Sequence, residues 1–429
     1  MTSKSPKRAC PAARRSAAIA VAITAACAGC GFGRGSAAAP SASTASPPVV
    51  LTPATTAPAP PPASSGPATT SPPASSSAPA AASCAQRAYG AMTPEQRVGQ
   101  LFLVGVSSNA ATADVARAVN DYHFGSVLLS KSGASVSTLK AGSAAIQALA
   151  TQQATGGVRF LVAANQEGGE IQQLSGPGFG YMPSALSQGK LSPATLRDDA
   201  EQWGDQLKAA GVNLDLAPVM DVVPAATAAS NGPIGAYDRE FGYDPQTNGT
   251  HGVAFIQGMA TAGVAATAKH FPGLGHVVGN TDFASGVTDT VTTGDSADLG
   301  SFKDAVAAGV RYVMIATALY TQIDARNLAA FSPAVIGGLL RQEMGFTGVV
   351  VSDDLGEAAQ VASIPAGQRA VDFIDAGGDL VTSQDLGPAE TMAATVLADA
   401  SASAAFRSKV ASAVMTVLAA KAAQGLLPC

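Results

Sequence analysis

Residues 348–355 read Gly348-Val349-Val350-Val351-Ser352-Asp353-Asp354-Leu355. A short, unbroken apolar run ending in two carboxylates describes a strand buried on both faces, with charge at its far end. A half-wet antiparallel strand would alternate polar and apolar residues, and this one does not. Short apolar runs of the same kind stand at 101–104, 126–129, 159–163, 212–216, 265–268, 312–315 and 379–382. Helix-length segments or glycine-rich loops separate them. One helix opens at Thr93-Pro94-Glu95-Gln96, with a cap, a proline at the first helical position and a glutamine at the third. Others are expected over about 136–153 and 193–210. Eight buried strands alternating with helices predict a single α/β domain, a (β/α)8 barrel of the TIM type. An open doubly wound sheet is the alternative, because a strand count does not close a sheet. No internal repeat is evident.

Polar residues follow these strands, where a barrel carries its active site. They are Asn165-Gln166-Glu167-Gly168-Gly169 after the third strand, Asp221 after the fourth, Lys269-His270 after the fifth and Ser352-Asp353-Asp354 after the seventh. Singly each has a bland reading: Asp354 as the cap of the next helix, His270 as a satisfied core histidine. Four such ends on one face point to a site.

Four segments then resemble glycoside hydrolase family 3. Lys269-His270-Phe271-Pro272-Gly273-Leu274-Gly275 is similar to the family's KHFPGHG signature, and Ala217-Pro218-Val219-Met220-Asp221 to its APVxD. Ile234-Gly235 followed by Arg239-Glu240-Phe241-Gly242-Tyr243-Asp244-Pro245 resembles IGxRSFGxDP with an insertion, and residues 348–355 match GxxxSDDL. The likeness spans 93–425 and is strongest to bacterial N-acetyl-β-glucosaminidases acting on peptidoglycan fragments. It implies a retaining exo-β-glycosidase with Asp353 as nucleophile. It also implies that Asn165, Gln173, Asp221, Arg239, Lys269 and His270 hold the sugar. The sandwich domain that follows the barrel in many relatives is not expected, because the chain ends soon after the eighth strand and its helix.

The chain departs from the family's pattern at three places. Where such N-acetylglucosaminidases carry Asp-Ser-His, with the histidine as acid/base, this chain has Asn280-Thr281-Asp282. Asp282 is the expected general acid if its pKa is raised; a simple turn is the other reading, and Asp289 the fallback. The family's DxEGGRVxR appears with Asn165 and Gln173 in place of its first Asp and second Arg, exchanging charge for amides. Glu357 stands where a methionine is usual. Two alternatives therefore remain: another family 3 β-glycosidase such as a β-glucosidase, or a catalytically weak barrel kept as a lipid-anchored wall-binding protein.

The ends of the chain carry other signals. Lys4, Lys7, Arg8, Arg14 and Arg15 precede an apolar run from Ala17 to Ala28, which reads as an export signal. It closes on Cys27-Ala28-Gly29-Cys30, similar to a bacterial lipobox. Cys30 is the expected lipidation site and Cys27 the runner-up, which would anchor the exported chain to the outer face of the cell membrane. Residues 1–30 are thus a signal, 31–83 an Ala/Pro/Ser/Thr-rich tether too apolar-poor to fold, and 84–429 the catalytic domain. Beyond the signal, 20 basic residues face 30 acidic ones, with no basic patch to suggest nucleic acid. Cys84 and Cys429 remain at the two ends of the domain. In an oxidising compartment they are expected to pair, since a closed barrel brings its ends together. No Cys/His ligand set is visible, so neither metal nor cofactor is expected. The partner is a carbohydrate substrate, and nothing in the sequence bears on oligomeric state.

Overall fold

The computed structural model describes residues 82–107 and 112–429. The export signal, the lipidation candidates Cys30 and Cys27, and nearly all of the tether lie outside the described residues. The eight barrel strands are β1 (Phe102–Val106), β2 (Ser126–Leu129), β3 (Leu161–Ala164), β4 (Leu214–Asp215), β5 (Ala265–Phe271), β6 (Tyr312–Ile315), β7 (Val349–Asp354) and β8 (Leu380–Ser383). All pair in parallel with their sequence neighbours, and β1 pairs with β8 through Phe102 and Val381, so the sheet closes. Closure decides between the two expected architectures: this is a (β/α)8 barrel.

Nearly every strand residue is buried, as a cylinder wrapped in helices requires. The opening helix Pro94–Gly99 carries the expected capping box. The Thr93 side chain accepts from the Gln96 N–H at 3.2 Å, and Gln96 Oε1 accepts from the Thr93 N–H at 3.1 Å. The second expected helix is shorter than the sequence suggests, Val136–Gln147, followed by a separate turn Gln152–Thr155; the third is Pro193–Ala209. At the N-terminal end of the barrel, Cys84 and Cys429 form the expected disulfide. The Arg159 N–H, just before β3, donates to the Leu426 carbonyl at 2.9 Å, which ties the chain's last residues to this end.

Candidate active site

A cavity of about 590 Å³ opens at the C-terminal ends of the strands. Its walls include Asn165, Glu167, Gln173, Arg239, Lys269, His270, Asp282 and Asp353. Seven of these eight are residues that the sequence nominates; Glu167 is the addition.

The floor is an ion cluster around Glu167. This residue sits in a small hairpin after β3, where Gln166–Gly168 pairs with Ile171–Gln172. Gly168 takes φ 105°, and a Cβ there would lie 2.1 Å from the Pro183 carbonyl oxygen, so the turn that presents Glu167 demands glycine. Arg239 grips the carboxylate with two parallel bonds, Nε to Oε2 and Nη2 to Oε1, both 2.8 Å. Lys269 Nζ lies 2.6 Å from Oε1. Burial alone would raise the Glu167 pKa; the two cations outweigh it and hold the group at about 2. Lys269 also donates to Asn165 Oδ1 at 3.0 Å. Arg239 donates from Nη1 to the Pro233 carbonyl at 2.8 Å. A guanidinium has five N–H groups and an ammonium three, so this floor keeps about three donors for a ligand.

His270 is buried beside the cluster. Its Nδ1 lies 2.7 Å from Asp221 Oδ2, and its own N–H donates to Asp221 Oδ1 at 3.0 Å. The Leu274 N–H donates to the same oxygen at 3.0 Å. These bonds correct the reading of Asp221 as a sugar ligand. Asp221 is fully buried, does not line the cavity, and acts through His270 by fixing its ring. The ring's Nε2 is left 3.5 Å from Arg239 Nη2.

Asp353, half-buried at the end of β7, lines the cavity, and its Oδ1 accepts the Asp354 N–H at 2.9 Å. Asp354 is structural. Its oxygens accept the N–H groups of Gly356, Glu357 and Gln384 and so hold the turn after the strand.

The Asn280-Thr281-Asp282 segment is a turn, and it also borders the cavity. The turn is of the Asx kind, with Asn280 Oδ1 accepting the Asp282 N–H at 2.9 Å. The Asp282 side chain is open to solvent at the cavity mouth, yet enough protein surrounds its carboxyl to matter. Burial and then the charge of Asp353 push its pKa up to about 6, against the pull of His270 and Arg239. The fallback, Asp289, is excluded as a proton donor. It is fully buried away from the cavity, its carboxylate taken by the Val291 and Thr292 N–H groups and the Thr292 hydroxyl.

A half-buried carboxylate, a carboxyl of raised pKa and a fixed donor floor in one cavity suit acid-assisted displacement at a sugar carbon. The profile of the glycosyl hydrolase family 3 N-terminal domain matches residues 93–417. A β-hexosaminidase of Stenotrophomonas maltophilia (strain K279a) is 33% identical over 290 residues, covering 66% of this chain and 82% of its own. The β-N-acetylhexosaminidase structure from Beutenbergia cavernae DSM 12333 is 48% identical with a TM-score of 0.76, covering 77% of this chain and 99% of its own. The family 3 β-N-acetylglucosaminidase of Paenibacillus sp. str. FPU-7 is 28% identical with a TM-score of 0.70, covering 78% and 63%. This chain belongs to glycoside hydrolase family 3.

Proposed function

We propose that the protein is a retaining exo-β-N-acetylglucosaminidase, exported and lipid-anchored at Cys30, that removes terminal β-linked N-acetylglucosamine from cell-wall fragments. The observation that carries the reading is the placement of Asp353 and Asp282 on one cavity above the Glu167–Arg239–Lys269 cluster. The relatives' hexosaminidase activities support the choice of sugar.

In the first step Asp353 attacks the anomeric carbon while Asp282 gives its proton to the departing oxygen. The bond to the aglycone breaks as the bond to Asp353 forms. In the second step Asp282 takes a proton from water, the water oxygen attacks the same carbon, and Asp353 leaves. Two inversions return the original anomeric configuration. The spare donors of Arg239 and Lys269, with His270, hold the ring hydroxyls and the acetamido group so that the carbon sits over Asp353.

A panel of chromogenic β-glycosides tests this. The N-acetylglucosaminide should be the preferred substrate, and a preferred glucoside would reverse the assignment of the sugar. Asp353→Ala should lose at least about a thousandfold in rate, as removal of a covalent nucleophile does. A 2-fluoro glycoside should label Asp353, and labelling elsewhere would remove it from this role. Cys30→Ser should release the protein from membranes.

A further inference from the structure

We propose that Gln360 is a positioning residue: it clamps the loop bearing Asp282 to the segment just beyond Asp353 and so fixes the acid over the site. This rests on the reading of Asp282 as the acid. The loop from Gly279 to Gly286 packs only through Thr281 and Ala284, and the rest of it faces solvent. Phe283 at its tip is 80% exposed and Val278 at its base 72%. Glycines bracket it, Gly286 at φ 72°. Its own bonds are local ones, such as the Asx turn and the Phe283 and Ala284 N–H groups to the Asn280 carbonyl. A glycine-flanked, solvent-facing loop of this kind opens easily unless something pins it.

The pin comes from the turn Ala359–Val361, shortly after Asp354. The Ala359 N–H donates to the Asp282 carbonyl at 3.1 Å, and the Gln360 N–H to the Thr281 carbonyl at 3.1 Å. The Gln360 side chain then takes the other end of the loop. Its Oε1 accepts the Val287 N–H at 2.8 Å, and its Nε2 donates to the Val287 carbonyl at 3.0 Å. Val287 is held from a second side by the Leu319 N–H at 3.1 Å. Gln360 thus meets both ends of the acid's loop, the Thr281 end through its backbone N–H and the Val287 end through its buried side-chain amide, and ties them to the segment after Asp353. Gln360 does not itself line the cavity. Its effect is on the separation of the two carboxyl groups, which both steps of the reaction use.

A general acid must lie within hydrogen-bond reach of the leaving oxygen. Its displacement therefore hurts poor leaving groups and spares good ones, which need no proton. The experiment compares wild type, Gln360→Met and Asp282→Ala on aryl β-N-acetylglucosaminides running from dinitrophenol to phenol as leaving group. Methionine keeps the length of glutamine without its amide. Gln360→Met should lose about thirtyfold to a hundredfold in kcat/KM on the phenyl substrate, as a shift of about 1 Å in a catalytic group does. It should lose less than about threefold on the dinitrophenyl one, where proton donation matters least. The alkaline limb of its pH profile should move as well. Gln360→Glu keeps the acceptor for the Val287 N–H and should fall between, which supplies the test should the methionine variant fold poorly. An equal loss on every leaving group, or none, overturns the clamp. If Asp282→Ala itself shows no dependence on leaving group, Asp282 is not the acid, and the clamp falls with that reading.

Discussion

Each end of the barrel buries a lysine, and the two are treated in opposite ways. At the C-terminal end Lys269 meets Glu167 at 2.6 Å, within a cluster completed by Arg239. At the N-terminal end Lys421 is fully buried and donates to Gln100 Oε1 and the Gly125 carbonyl, both at 2.7 Å. Those oxygens accept hydrogen bonds but supply no counter-charge, so burial pulls the Lys421 pKa down to about 7. One end pairs its lysine with a carboxylate and leaves donors free at a cavity. The other end meets its lysine with neutral oxygens alone and weakens its hold on the proton.

The sharpest way to separate the two ends is to cut the disulfide. Cys84 and Cys429 are 345 residues apart in sequence, and the chain-entropy account assigns a loop of that length about 6 kcal/mol as an upper bound. Cys84→Ser together with Cys429→Ser should lower the urea midpoint markedly. Where the protein is still folded, kcat should not change, because the cavity lies at the opposite end. A parallel fall in kcat would show that the two ends are not independent.

Glu167→Gln should do the reverse and join stability to activity. It leaves Arg239 and Lys269 buried without their counter-charge, a situation that costs about 3–5 kcal/mol. It also frees both cations to turn from the position in which they would hold a sugar. Urea midpoint and kcat/KM should therefore fall together. A stable but inactive variant would mean that the cluster serves the ligand alone.

That cluster also marks where sequence reading stops. The barrel was legible because a parallel strand buried on both faces is written as a continuous apolar run, and all eight runs became strands. The site's location was legible because Asp353, Lys269 and Asn165 end such runs. The partnership inside the site was not. Glu167 stood in the polar segment after β3 without a role, although an acid wedged before two glycines at a buried strand end requires a cation. The motif of Asp221 adjoins the site and so suggests a ligand; only the three bonds it accepts from His270 and Leu274 place it behind the ring. Gln360 gave no signal at all. Its partner, Val287, is 73 residues away and is bonded through the backbone, which any residue type offers.

Lys421 gives a smaller and signed effect. Its folded pKa of about 7 lies below its unfolded value, so above pH 7 the unfolded chain binds a proton that the folded one does not. Stability from this residue therefore rises with pH above 7 by about 1.4 kcal/mol per unit, until the unfolded lysine also titrates. Lys421→Met should remove that rise. Denaturant titrations of both proteins between pH 7 and 9 decide it, and a rise that persists in the variant would assign the linkage elsewhere.

The last test belongs to the C-terminal end. With its pKa raised to about 6, Asp282 is a proton donor below that pH, so kcat/KM should fall about tenfold per unit above it, and Asp282→Asn should flatten the limb. Part of that rise comes from the charge of Asp353. Once Asp353 is bound to the sugar its charge is gone, so the Asp282 pKa drops and the same group becomes the base for the second step. An ionised Asp282 then stands beside the anomeric carbon. At an effective dielectric near 20, two unit charges about 4 Å apart repel by about 4 kcal/mol, so phosphate is disfavoured against neutral water. Turnover in concentrated phosphate should yield the free sugar. Sugar 1-phosphate as the main product would mean that Asp282 is uncharged, or not at the carbon, when the intermediate breaks down.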